Sequence, residues 1–136
     1  METERILLEE VRMEDCLFCH IEKSRLVMEE ENFYIIRDAF PVTDLHTLII
    51  SKRHIQSFFE LTDSEISSYT KILNKCRIDL LDQDSSISGF NVGFNDGVDA
   101  GQTIMHCHVH IIPRRSGDVI NPRGGIRGVI PGKQNY

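Results

Sequence analysis

The run Gly101-Gln102-Thr103-Ile104-Met105-His106-Cys107-His108-Val109-His110-Ile111-Ile112-Pro113-Arg114 decides how this chain is read. Residues 104–112 have a strand pattern, and Pro113, which cannot donate to a sheet ladder, is expected to end it. On a strand, positions i, i+2 and i+4 share one face. His106, His108 and His110 would then project together, while Cys107, Val109 and Ile111 face a core. Two chemistries use such a ladder. Neutral imidazole is a common metal ligand. It is also a nucleophile, one ring attacking while its neighbours orient or protonate. With a reference pKa of about 6.5, a histidine is substantially neutral at physiological pH and its free nitrogen can attack phosphorus. A solvated polar face is the bland alternative, and three successive outward histidines weigh against it.

Outward from this strand, Phe90, Val92 and Phe94 alternate with Asn91, Gly93 and Asn95, a strand with one apolar face. A glycine-containing loop over 96–103 separates the two. Thr62 and Glu65 form a T-x-x-E capping box. Ile66, Tyr69, Leu73, Cys76 and Leu80 follow as one apolar stripe, which predicts a core-facing helix ending near Asp82. Residues 26–30 and 33–37 read as a hairpin turning at Glu31 and Asn32, and 45–50 as a third strand. Residues 1–15 read as a short helix or an arm. The segment 116–136, rich in Gly and Pro, is expected to be irregular. This order of elements predicts one α+β domain over 1–136, with its core in 16–115. The sheet is expected to be largely antiparallel, about five strands, with one long helix.

The chain has 136 residues, long enough for one hydrophobic core, and a net charge of −6, which is no footprint for a nucleic-acid polymer. The charge is uneven. From Pro113 onward there are Arg114, Arg115, Arg123, Arg127 and Lys133 against one acid, Asp118. A small basic end on an acidic protein suits a phosphate-bearing small molecule, although a solvated tail would look the same. No apolar run approaches a membrane span, and the N-terminal stretch lacks the apolar core of a signal peptide. The expected compartment is the cytoplasm, where thiols stay reduced. Cys16-Leu17-Phe18-Cys19 is then a candidate zinc pair needing two more ligands. A redox pair is the rival, without the strand and long helix that usually frame one.

The extended histidine run resembles the signature of the histidine-triad superfamily: H-φ-H-φ-H-φ-φ preceded by G-Q-[ST], with Cys107 counted as apolar. Asp38-Ala39-Phe40-Pro41 and His46-Thr47-Leu48-Ile49-Ile50-Ser51-Lys52-Arg53-His54 resemble the upstream block D-x-x-P-x-x-x-G-H-x-L-[VI]-x-P-K-x-H, and Asn95-Asp96-Gly97 resembles its N-x-G. Two positions depart. Leu45 stands where that block has Gly, and Ser51 where it has Pro. Gly tolerates backbone angles that Leu does not, so the loop into His46 is expected to differ.

The resemblance implies a fold and a function. The fold is the histidine-triad α+β fold, commonly a homodimer. The function is hydrolysis of a nucleoside phosphoanhydride, such as a dinucleoside polyphosphate, releasing a nucleoside monophosphate. His108 would attack the α-phosphorus and carry a covalent nucleotidyl group. His110 would donate to a nonbridging oxygen, and Gln102 would sit near the leaving oxygen. Gly101 and Thr103 would offer backbone donors to the phosphate, and Asn95 would contact it or order the loop. Asp38 would accept from the ribose, and Ile36 and Phe40 would line a purine pocket or else belong to the core. His46 reads as a buried structural histidine. In microbial members of the superfamily a structural zinc is held by the C-x-x-C pair, a downstream histidine and the first triad histidine. That implies Cys16, Cys19, His54 and His106 here, with His20 competing. Hydrolysis of P–N bonds, and nucleotide binding with little turnover, are the alternative functions. Nucleotidyl transfer to an acceptor other than water also stays open, although members of that branch usually carry Gln where this chain has His110.

Overall fold

The computed structural model describes residues 15–136. The expected helix or arm over 1–15 therefore lies, Asp15 apart, outside the described residues. Five strands make one antiparallel sheet: β1 (Leu26–Glu29), β2 (Phe33–Arg37), β3 (Thr47–Ser51), β4 (Ile87–Gly93) and β5 (His108–Arg115), in the order β1-β2-β3-β5-β4. One α-helix, α1 (Asp63–Gln83), is present among the described residues. The expected α+β architecture is the observed one.

The capping box forms. Thr62 accepts from the Glu65 N–H at 3.1 Å, and Glu65 accepts from the Thr62 N–H at 2.9 Å. Glu65 also takes a two-pronged contact from Arg53, at 2.8 and 3.2 Å. That guanidinium, first among several causes, holds the Glu65 carboxyl down to about 2. α1 packs on one face of the sheet, where Ile72, Cys76 and Leu80 meet Phe33, Ile35, Ile49, Val109 and Ile111. Ile72 is the buried member that the stripe omitted; Tyr69 and Leu73 only flank it. The opposite face carries a smaller cluster of Phe18, Ile36, Leu48 and Ile50.

Several boundaries differ from expectation: β3 runs over Thr47–Ser51 rather than 45–50, and β4 stops at Gly93, short of Phe94 and Asn95. β5 starts at His108, so His106 precedes the strand, and it continues through Pro113 to Arg115. Pro113 is tolerated because β3 pairs only as far as Ile111, so the strand has a single neighbour there. β4 starts earlier, at Ile87, with an irregularity before Gly89. Val92, assigned to an apolar face, is 39% exposed because β4 is an edge strand.

Both departures from the upstream block have local explanations. Leu45 takes φ 68, the only non-glycine residue in the left-handed region among the described residues. The backbone adopts a glycine-like turn despite a cost of roughly 1 kcal/mol. The turn closes with the Asp38 N–H donating to the His46 carbonyl at 2.8 Å, and the Leu45 side chain packs against the core. Ser51 donates its backbone N–H to the Cys107 carbonyl at 3.2 Å, a bond that Pro could not make. No described helix is long and apolar enough to cross a membrane.

Candidate functional site

His108 and His110 lie opposite Ile50 and Leu48 in the β3–β5 ladder, on the face away from α1. They line a cavity of about 490 Å³ together with Asp38, Phe40, Asn95, Gly101 and Thr103. Six expected nucleotide-contacting or catalytic residues besides His108 are thus accounted for at this cavity. Leu17, Phe18, His20, Arg25, Leu48 and Ile104 also line it, and the sequence reading gave none of them to this cavity.

Two expected residues are elsewhere. Ile36 is on the same face as Leu48 but is core rather than purine pocket, because Phe18, Leu48 and their neighbours in the small cluster cover it completely. Gln102 is 4% exposed and faces inward. Its Oε1 accepts from the Gly97 N–H at 2.9 Å, and its Nε2 donates to the carbonyls of Gln56 and Ile104 at 3.0 and 3.1 Å. A buried amide must satisfy its polar atoms, and Gln102 does so by tying the loop together, not by facing the cavity.

Hydrogen bonds sort the imidazole tautomers. The His108 Nδ1 is 2.7 Å from the His106 carbonyl, which only accepts. Nδ1 therefore carries the proton, and Nε2 keeps its lone pair. The His46 Nδ1 accepts from the Val42 N–H at 3.2 Å, so its proton is on Nε2, 2.9 Å from the His110 Nδ1 and 3.5 Å from Asp38. His110 then accepts at Nδ1 and holds its own proton at Nε2. His46 is buried, as expected, but it also sets the protonation of a cavity histidine. One ring is left with a lone pair at Nε2 and the next with an N–H there.

Burial, and next the charges of His108 and His46, push the His110 pKa down to about 4. Burial also lowers that of His46, against the opposing charge of Asp38. In the unfolded chain both groups return to about 6.5. As pH falls through 6.5 the unfolded state takes up protons first, so stability is lost between 6.5 and about 4. His110 alone accounts for up to roughly 3 kcal/mol. Thermal melting followed from pH 7 to pH 4 should show this decline, and His110→Gln should flatten it.

Behind the cavity is a second cluster. Sγ of Cys16 and Cys19 and Nδ1 of His54 and His106 all lie within 4.8 Å of one another. Four of the separations are 3.3 Å (Cys16–His106), 3.1 Å (Cys19–His54), 3.5 Å (Cys19–His106) and 3.1 Å (His54–His106). Tetrahedral zinc with bonds of about 2.0–2.3 Å has edges of roughly 3.3–3.8 Å, so the donor set fits. The His106 Nε2 donates to the Ser51 carbonyl at 2.6 Å, which fixes the tautomer that frees Nδ1 for a metal. Burial and the adjacent Cys16 thiol push the Cys19 thiol up to about 12, a cost that a bound cation would reverse. His20 is outside the cluster and lines the cavity.

The two sites share a segment. Phe18, between the cysteines, sets its ring 5.0 Å from that of His108, edge-on at 74°. A metal at the cluster would hold one wall of the cavity and the packing of the candidate nucleophile. The Cys-x-x-Cys spacing could have pointed to Phe18, since whatever lies between two ligands is pinned where they are.

A family model described as HIT domain matches residues 21–117. The chain is 36% identical to a member of the HIT family from Bacillus subtilis of known structure, with a TM-score of 0.70 and 76% of each chain covered. It is 30% identical to a zinc-bound histidine triad family protein from Mycobacterium smegmatis, with a TM-score of 0.71, covering 80% of this chain and 81% of that one. A shorter likeness, 40% over 78 residues, is to the asymmetrical bis(5'-nucleosyl)-tetraphosphatase of Schizosaccharomyces pombe, covering 57% of this chain and 42% of that protein.

Proposed function

The chain belongs to the HIT family, and on that premise we propose that it hydrolyses a dinucleoside polyphosphate or related nucleoside phosphoanhydride at the α-phosphorus. One observation carries the reading. His108 has its Nδ1–H committed to the His106 carbonyl and its Nε2 lone pair left over, on a cavity that also offers Asp38 and Phe40. The likeness to a tetraphosphatase supports it.

In the first step the Nε2 lone pair of His108 forms a bond to the α-phosphorus, and the bond to the bridging oxygen breaks. The leaving nucleoside polyphosphate departs with that electron pair and needs no proton at neutral pH. The His106 carbonyl stabilises the positive charge that forms on the ring. His110 Nε2–H donates to a nonbridging oxygen with the Thr103 N–H as the backbone donor beside it; the N–H groups of Gly101 and Gln102, the former expected to face phosphate, instead donate to the Val98 and Gly97 carbonyls. Asp38 accepts from the ribose, and Phe40 stacks on the base. In the second step a water oxygen attacks phosphorus, Nε2 recovers its pair, and the water proton passes to solvent. Splitting one displacement into two easier ones is the gain.

Zinc at Cys16, Cys19, His54 and His106 is part of the proposal, as a structural cross-link. So is residence in the cytoplasm, which suits reduced thiols. So is a homodimer, for which β4 offers a sheet edge with Val92 exposed.

The test is turnover of diadenosine tetraphosphate followed by chromatography. Release of AMP and ATP in equal amounts supports the proposal. Absence of products there, with cleavage of adenosine 5′-phosphoramidate, would move the reaction to P–N bonds; no turnover of either would leave nucleotide binding alone.

A further inference from the structure

The C-terminal segment is expected to be irregular, yet it is built. Asn121 reaches Asn135 at 3.2 Å, and Gln134 donates to the Asn121 carbonyl at 3.1 Å, so the two ends of 121–135 are tied together. The fold needs Gly124, whose φ is 83 and where an added Cβ would fall 1.9 Å from the Gln134 carbonyl oxygen. Inside the knot Arg123 and Arg127 place their guanidinium carbons 5.1 and 4.7 Å from the centre of the Tyr136 ring. Residues 119–136 contain Arg123, Arg127 and Lys133 and no acid, in a chain whose net charge is −6.

The ladder gives the knot's position. Gly93 lies opposite His110, and Asn91 opposite Ile112. Residues directly opposite share a face, so a Cβ at Gly93 would point to the histidine side of the sheet. There it would meet Ile126 at 3.9 Å, and a Cβ at Gly125 would meet the Asn91 side chain at 3.4 Å. The Gly125–Ile126 part of the knot therefore sits on the histidine-bearing face over β4, the strand that neighbours β5. Asp38, Phe40 and Leu48, by contrast, approach the cavity from the β2–β3 side.

We propose that the 121–136 knot is a binding site for the distal phosphates of the substrate, and so selects polyphosphate leaving groups. The inference rests on the hydrolase reading, with the nucleoside over β2–β3 and the reacting phosphate over β5. The remaining phosphates then extend over β4 to the knot, which has no acidic side chain of its own and whose cations are stiffened by Tyr136. Charge-assisted contacts from Arg123 and Arg127, with Lys133 beside them, hold that group.

The test compares wild type with Arg123→Gln/Arg127→Gln and Arg123→Lys/Arg127→Lys double variants. Calorimetry measures binding of inorganic tripolyphosphate with AMP in excess, so that the nucleoside pocket is filled. The Gln pair should bind it about tenfold or more weakly, the Lys pair close to wild type, and all three should bind AMP alike. The Gln pair should lose turnover of diadenosine tetraphosphate and keep that of adenosine 5′-phosphoramidate, which has no distal phosphates. Equal tripolyphosphate affinity in the Gln pair and wild type overturns the proposal, as does an equal loss in the Lys pair. Tail-dependent tripolyphosphate binding without any nucleotide turnover keeps this site and removes the hydrolase reading. Turnover that ignores the tail does the reverse.

Discussion

His108→Ala should lower kcat for diadenosine tetraphosphate by on the order of 10⁴-fold or more, with nucleotide affinity changed little. The asymmetry follows from the geometry. The proposal gives His108 the attacking nitrogen and places the nucleoside against Asp38, Phe40 and Leu48, which line the cavity from other elements. Removing the ring removes the attacking pair and leaves those contacts in place. Steady-state rates beside equilibrium binding of AMP separate the two effects. A variant that lost binding and rate together would assign His108 to holding the substrate rather than attacking it. His46→Ala should act indirectly, since its Nε2–H is what keeps the His110 proton on the cavity side.

Cys19→Ser, or prolonged chelation, should lower the melting temperature by more than about 10 °C, because binding energy at a structural metal is folding energy. The cluster brings the 16–19 segment to His54, three residues past β3, and to His106, two residues before β5. Without that tie, Phe18 would lose its place 5.0 Å from the His108 ring. Turnover at temperatures where the variant is still folded should therefore fall as well. Zinc content near one equivalent in wild type, and well below it in the variant, completes the expectation. Full stability in a metal-free wild-type protein would contradict it.

Much of this was legible in the chain. The capping box and the hairpin around Glu31 and Asn32 are local, set by backbone bonds between residues a few positions apart, and both are found. The four metal donors are far apart in sequence and converge as the resemblance implied. What escaped reading depends on tertiary context. His106 shares the period of the strand, but its ring turns to the cysteines, and β5 begins only at His108. Ile36 and Gln102 have residue types that suit a pocket and a catalytic loop, yet burial decides for the core in one case and for loop carbonyls in the other. The knot at 121–136 carried only turn residues and charge, and neither says which face of the sheet it covers.

The most direct measurement of the central claim is the configuration at phosphorus. A substrate with a chiral phosphorothioate at the attacked position, hydrolysed in isotopically labelled water, reports how many displacements occur. Each in-line displacement inverts the centre. Attack by His108 followed by attack of water predicts overall retention. Net inversion would mean that water attacks directly, and would contradict the nucleotidyl-histidine.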